Sequence, residues 1–167
     1  MSRLFLWSFL IVFALFTNVS TAQDFQIPNN YQLKTDADFE RYEADFFKTV
    51  DWLTTNAPDA EGRLQANAFT MAYLEGTPKF TVELRSYITT LTDANPELIL
   101  VFLGNWGKFA LQNPSQKDDF YACGMVGLEA TLNYYQAFKS LKKDKDLEKL
   151  LEIQKEGKLG KWLKKQM

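Results

Sequence analysis

The sequence predicts an all-α protein, an irregular antiparallel bundle of five or six helices, and three observations carry that prediction. Apolar residues recur at steps of three and four through most of the chain, the period of one helix face. No stretch alternates apolar and polar residues for long enough to build a sheet. Pro58, Pro78, Pro96 and Pro114 follow one another at twenty, eighteen and eighteen residues, each where a helix can begin, because proline at the first helical position gives up no intrahelical hydrogen bond. A short helical-hairpin superhelix is the alternative arrangement of the same units.

The first segment reads as an address. Arg3 precedes the apolar run Leu4–Phe16, broken only by Ser8, and Ser20, Thr21 and Ala22 supply small residues before a cleavage point at Gln23. A helix over that run rises about 20 Å, short of a hydrocarbon core of roughly 30 Å, so removal of residues 1–22 as a signal peptide fits better than an anchor. The mature chain, Gln23–Met167, is then exported, either periplasmic or secreted. Residues 23–34 read as a polar leader. Residues 35–167 read as a single helical domain ending in a Lys-rich segment, 139–167.

Within that domain, Thr35 and Asp36 can cap a first helix that carries Phe39, Tyr42, Phe46, Val50 and Leu53 and ends near Asn56. The second is expected from Pro58 to Glu75, with Leu64, Ala68, Met71 and Ala72 inward and Gly76 as a left-handed cap. The third, from Pro78, turns Phe80, Leu84, Tyr87, Ile88 and Leu91 to the core. From Pro96 to Gln112 almost no polar face remains, so this fourth helix is predicted to be central. A fifth runs from about Ser115–Asp119 to Leu141, and a sixth is built on Leu147, Leu150 and Leu151, with Gly157 and Gly160 breaking its continuation.

Composition narrows the chemistry. The chain has 167 residues, 19 basic against 21 acidic, one cysteine and no histidine. Imidazole-based triads and most zinc sites are excluded, and one cysteine makes neither a CxxC pair nor an internal disulfide. Net charge of −2 lacks the basic surface that nucleic acid demands. No phosphate loop, serine elbow or HExxH segment occurs, so no cofactor and no metal is expected. Cys123, between Ala122 and Gly124 with no cation within two positions, reads as a small buried hydrophobe.

Four residues are the candidate ligand-binding set: Asn105 and Trp106 on the fourth helix, Glu129 and Asn133 on the fifth. Glu129 interrupts an apolar run and shares a face with Asn133 at i+4; buried there, it would anchor a ligand or serve as an acid or base, and exposed there it is simply solvated. Gly104, Gly107, Gly124 and Gly127 each cost about 1 kcal/mol relative to alanine inside a helix. Close packing of the fourth and fifth helices is the favoured reason, ahead of a cleft walled by Trp106 and Tyr121. Charge divides unevenly too, with ten lysines and five acids from Lys139 to Met167, a segment that either solvates a helix face or docks on an anionic surface.

The paired turn units invite comparison with tetratricopeptide repeats, but that consensus is absent: Gly107 follows Trp106, and Phe109 and Ala110 do not continue the pattern. The turn pattern, the Gly-containing helix around Trp106 and the basic tail together resemble small exported all-helical bacterial proteins of unassigned function. That resemblance implies export and a helical fold without naming an activity. The expectation is a non-enzymatic envelope protein binding a protein partner or a small apolar ligand. One alternative is an extracytoplasmic enzyme using carboxylates such as Glu129; another is a peripheral protein held to a membrane surface by the basic C-terminal segment.

Overall fold

The computed structural model describes residues 25–167, so the signal-peptide reading of 1–22 lies outside the described residues. What it describes is all-helical, seven α-helices and one 3-10 turn rather than five or six helices, with no strand among the described residues. The helices are α1 Asp36–Thr55, α2 Arg63–Gly76, α3 Ser86–Thr92, α4 Leu98–Gln112, α5 Phe120–Ala137, α6 Lys145–Lys155 and α7 Leu159–Lys164, with the 3-10 turn at Pro114–Gln116.

Helix α1 starts where its cap was expected. Thr35 accepts the Asp38 amide while the Asp38 carboxylate accepts the amides of Thr35 and Lys34, a reciprocal capping box. The Thr35 hydroxyl also donates to that carboxylate, and together with those amides it holds the Asp38 carboxyl below its ordinary range. Phe39, Phe46, Val50 and Leu53 are buried as predicted. Described residues before the cap pack on α2. Tyr31 meets Phe69 edge-on at 5.0 Å, and the Ile27 carbonyl accepts Gln65 Nε2 at 2.6 Å.

Helix α2 corrects the sequence reading most. It begins five residues after Pro58, because Ala57–Ala60 and Ala60–Arg63 form successive turns and Gly62 adopts a left-handed φ of 85°. Its inward face is Arg63, Ala66, Phe69, Thr70 and Tyr73, while Leu64, Ala68 and Met71 face outward and Ala72 is half-buried. The segment carries two apolar stripes. The aromatic one takes the core because Phe69 and Tyr73 bury more apolar area, with Tyr73 stacked on Phe46 at 4.3 Å and donating to the Phe39 carbonyl at 3.0 Å. Gly76 is not left-handed: a Cβ there would lie 2.6 Å from the Phe39 ring, so it is close approach that requires glycine.

No helix starts at Pro78. Residues 77–85 are non-helical and α3 is short; β-branched Thr81 and Val82 favour extended backbone, and Leu84 stands 66% exposed rather than inward. Helix α4 is central as predicted, packed against α1, α2, α3 and α5, with Leu98, Val101, Phe102, Trp106 and Ala110 buried. Just before it, the Asn95 side chain donates to the Lys142 carbonyl at 2.9 Å and accepts the Lys142 amide at 2.8 Å, fastening the start of α4 to the loop that leads into α6.

The four helical glycines do not all serve one seam. Gly127 lets α5 meet α4 so closely that a Cβ would stand 2.9 Å from the Phe102 carbonyl oxygen, and Gly124 lies against the Trp106 ring and the Tyr87 hydroxyl. Gly104 instead faces Val50 and Thr70, and Gly107 faces Phe80 and Leu74. Two of the four therefore accommodate α1, α2 and the segment after it rather than the seam between α4 and α5. Helix α5 is capped by Asp119 and stops at Ala137, short of Leu141. Asp144 caps α6, and Gly157 ends it with a φ of 68°. Gly160 breaks nothing: it sits inside α7, where the Tyr121 hydroxyl would be 2.5 Å from a Cβ.

Candidate functional site

The structure does not gather Asn105, Trp106, Glu129 and Asn133 into one site. Asn105 Nδ2 donates to Thr54 Oγ1 at 3.1 Å and to the Val101 carbonyl at 2.8 Å, so its amide ties α4 to α1. Trp106, 1% exposed, packs beside Phe102 and Phe120 with ring centroids 6.1 and 6.0 Å away. Glu129 and Asn133 stand exposed on the outer side of α5. Two of the four are therefore packing residues and two are solvated. Cys123 is buried, its thiol directed at the Gln116 and Lys117 carbonyls. Burial, with Asp119 adding to it, pushes this thiol up to about 11, so at neutral pH it is protonated and a poor nucleophile.

The lysines of 139–167 do not form a single face. Lys139, Lys143 and Lys155 border a cleft of about 220 Å³ with Tyr135 and Glu148. Lys158, Lys161, Lys164 and Lys165 lie at α7, with Lys164 Nζ 5.1 Å from the Tyr121 ring centroid. Between them runs the mixed surface of α6, where Asp146, Glu148, Glu152 and Glu156 alternate with Lys149 and Lys155.

An apolar concavity lies elsewhere. The last turns of α2, the non-helical 77–85 segment, α3 and the start of α4 enclose a cleft of about 540 Å³. Its walls are Met71 and Leu74 from α2, Val82 and Leu84 from the connecting segment, and Ile99 and Leu103 from α4, with Thr89, Thr92, Pro96 and Glu75 completing the rim. Each wall has a local cause. Met71 and Leu74 point here because the aromatic stripe of α2 has turned the other way; Ile99 and Leu103 are one turn apart on a helix apolar all round; Leu84 lies in the non-helical segment just before the extended Arg85 cap of α3. The volume falls in the range of small-molecule sites, roughly 300–1,000 Å³. A cleft of about 590 Å³ between Glu43, Lys79 and Lys117 is bordered by the Lys79–Glu43 ion pair, and one of about 180 Å³ beside Trp162 is smaller and polar.

None of the four candidate residues lines the apolar cleft, and sequence reasoning missed the cleft altogether. A signal existed: Leu64, Ala68 and Met71 form a second apolar stripe on a helix that already had one, and two such stripes on one surface helix leave one outside. No protein-family model matches this chain, and neither does any curated protein or solved structure.

Proposed function

We propose that this chain is an exported, non-enzymatic helical protein that holds a small apolar ligand in the cleft between α2, α3 and α4. The observation that carries the reading is that two of the four exposed large apolar side chains among the described residues, Leu84 at 66% and Met71 at 37%, line one apolar cleft; Leu64 and Met167 are exposed outside it. Side chains of this size left in water are stabilised by about 1.5–3 kcal/mol each once covered, and contiguous apolar surface of this kind marks ligand or partner sites. Part of the cleft wall is tied to the core, since Ile99 and Leu103 belong to the central helix and Leu74 packs against the core.

The neutral fluorophore N-phenyl-1-naphthylamine tests it. Its emission is expected to rise saturably on titration into the full chain. Because Leu84 and Met71 contribute little to the core, Leu84→Ser combined with Met71→Ser should leave the fold intact, read by circular dichroism, and weaken binding about ten-fold. Unchanged affinity in that variant would remove the cleft from consideration. Export rests on the Leu4–Phe16 run and the small residues before Gln23. N-terminal sequencing of the protein recovered from its own cells is expected to begin at Gln23, and a product starting at Met1 would refute it.

A further inference from the structure

We infer that the ligand of this cleft carries a cationic, hydrogen-bond-donating head on its apolar body, an inference that rests on reading the cleft as an apolar-ligand site. Two independent observations support it. Among the described residues the only charged side chain lining the cleft is the carboxylate of Glu75, with no lysine or arginine beside it. Glu75 stands in the last turn of α2, where the carbonyl end of the helix dipole adds negative potential. The cations next in sequence do not line the cleft: Lys79 Nζ is 2.7 Å from Glu43, while the Arg85 guanidinium bonds Glu83 at 2.9 Å and the backbone oxygen of Met167, with its Nε buried and without an acceptor among the described residues.

The second observation concerns the hydroxyls. Thr89 Oγ1 donates to the Ser86 carbonyl at 2.8 Å, and Thr92 Oγ1 donates to the Ile88 carbonyl at 3.1 Å. Their protons are therefore used, and what they offer the cleft is lone pairs. Pro96 brings no amide proton. The start of α4 is the opposing positive element, but its first amides bond the carbonyls of Asn95 and Pro96, and Glu97 stands beside them. Every lining side chain with a polar atom thus presents an acceptor. A carboxylate or sulfate head would face Glu75 with no donor to receive it, whereas a primary ammonium supplies three donors and the complementary charge.

Placement follows from spacing. Met71 and Glu75 are four residues apart on one helix face, so a head group at Glu75 leaves the apolar body against Met71, Leu74 and the α4 wall one turn away.

Displacement of bound N-phenyl-1-naphthylamine from the full chain separates the cases. The competitors are dodecylammonium, dodecyltrimethylammonium, dodecanol and dodecyl sulfate, all kept below micelle formation. Dodecylammonium is expected to bind about five-fold more tightly than dodecanol, dodecyl sulfate more weakly than either, and the trimethyl compound, which has charge but no donor, between ammonium and alcohol. Glu75→Gln should bring dodecylammonium to the level of dodecanol while leaving dodecanol itself unchanged. Dodecyl sulfate binding as tightly as the ammonium, or Glu75→Gln without effect on it, would overturn the inference and leave the apolar site standing. Failure of the fluorophore and all four competitors to bind would overturn the site itself.

Discussion

Trp106→Ala is expected to destabilise the folded chain by about 4 kcal/mol, and its cause lies in where α4 and α5 meet. Trp106 is 1% exposed and lies among Phe102, Phe120 and the backbone of Gly124, where a Cβ would be 3.4 Å from its ring. Gly124 has no side chain to swing into the space, which limits collapse of the cavity left by the indole. Most of the cavity cost is therefore retained. The indole Nε1–H is buried with no acceptor among the described residues. Trp106→Phe removes that unsatisfied donor together with part of the ring, so the two effects oppose each other and the expected loss is only about 1–2 kcal/mol. Urea unfolding of both variants measures the difference. A loss below about 2 kcal/mol for Trp106→Ala would show that the seam between α4 and α5 repacks freely.

Much of the fold was legible because its strongest features are local. The Thr35–Asp38 capping box, the all-apolar α4 and the leucines of α6 need no tertiary information, and each sits where its residues put it. The prolines misled for a physical reason. Fixed φ near −65° suits the first position of a helix and the second position of a turn equally well. Around Pro58 the chain took the turn, with Gly62 completing it, and Pro114 opened a 3-10 turn ahead of α5. Pro78 preceded β-branched residues and began no helix at all.

The candidate site was far less legible. Asn105, Glu129 and Asn133 drew attention as polar residues in apolar helices, yet local spacing does not say whether such a residue reaches solvent, as Glu129 and Asn133 do, or satisfies a neighbour, as Asn105 does. The apolar cleft, by contrast, is assembled from residues as far apart as Met71 and Leu103. Each of them reads as ordinary core. What distinguishes them is exposure, which depends on how α2 is rotated.

Arg63 lies on the same inward face as the aromatic stripe that sets that rotation, and Arg63→Met is expected to destabilise the protein by about 3 kcal/mol. Arg63 is 5% exposed and opens α2 facing inward. Its Nη1 shares two protons among the carbonyls of Leu53 at 2.9 Å and Asn56 at 3.1 Å and the Tyr134 hydroxyl at 3.0 Å, Nε and Nη2 are buried without an acceptor among the described residues, and the guanidinium lies 5.2 Å from the Tyr134 ring centroid. Tyr134 in turn donates to the Asn56 carbonyl at 2.8 Å. The cation thus sits at the carbonyl end of α1, where the helix dipole favours positive charge, and joins α1, α2 and α5 at one point. Methionine fills a comparable volume but leaves the Leu53 carbonyl buried without this donor, and charge-assisted bonds contribute about 1.5–3 kcal/mol each. Relief of the cation's own burial, which lowers the Arg63 pKa, offsets part of that. Tyr134→Phe in both backgrounds closes a double-mutant cycle, for which a coupling of about 1 kcal/mol is expected; additivity would disconnect the pair. With Arg63 inward, Ala66, Thr70 and Tyr73 follow on the same face and Leu64, Ala68 and Met71 are carried outward. The residue that closes α1 thereby acts with Phe69 and Tyr73 in leaving the cleft its apolar wall.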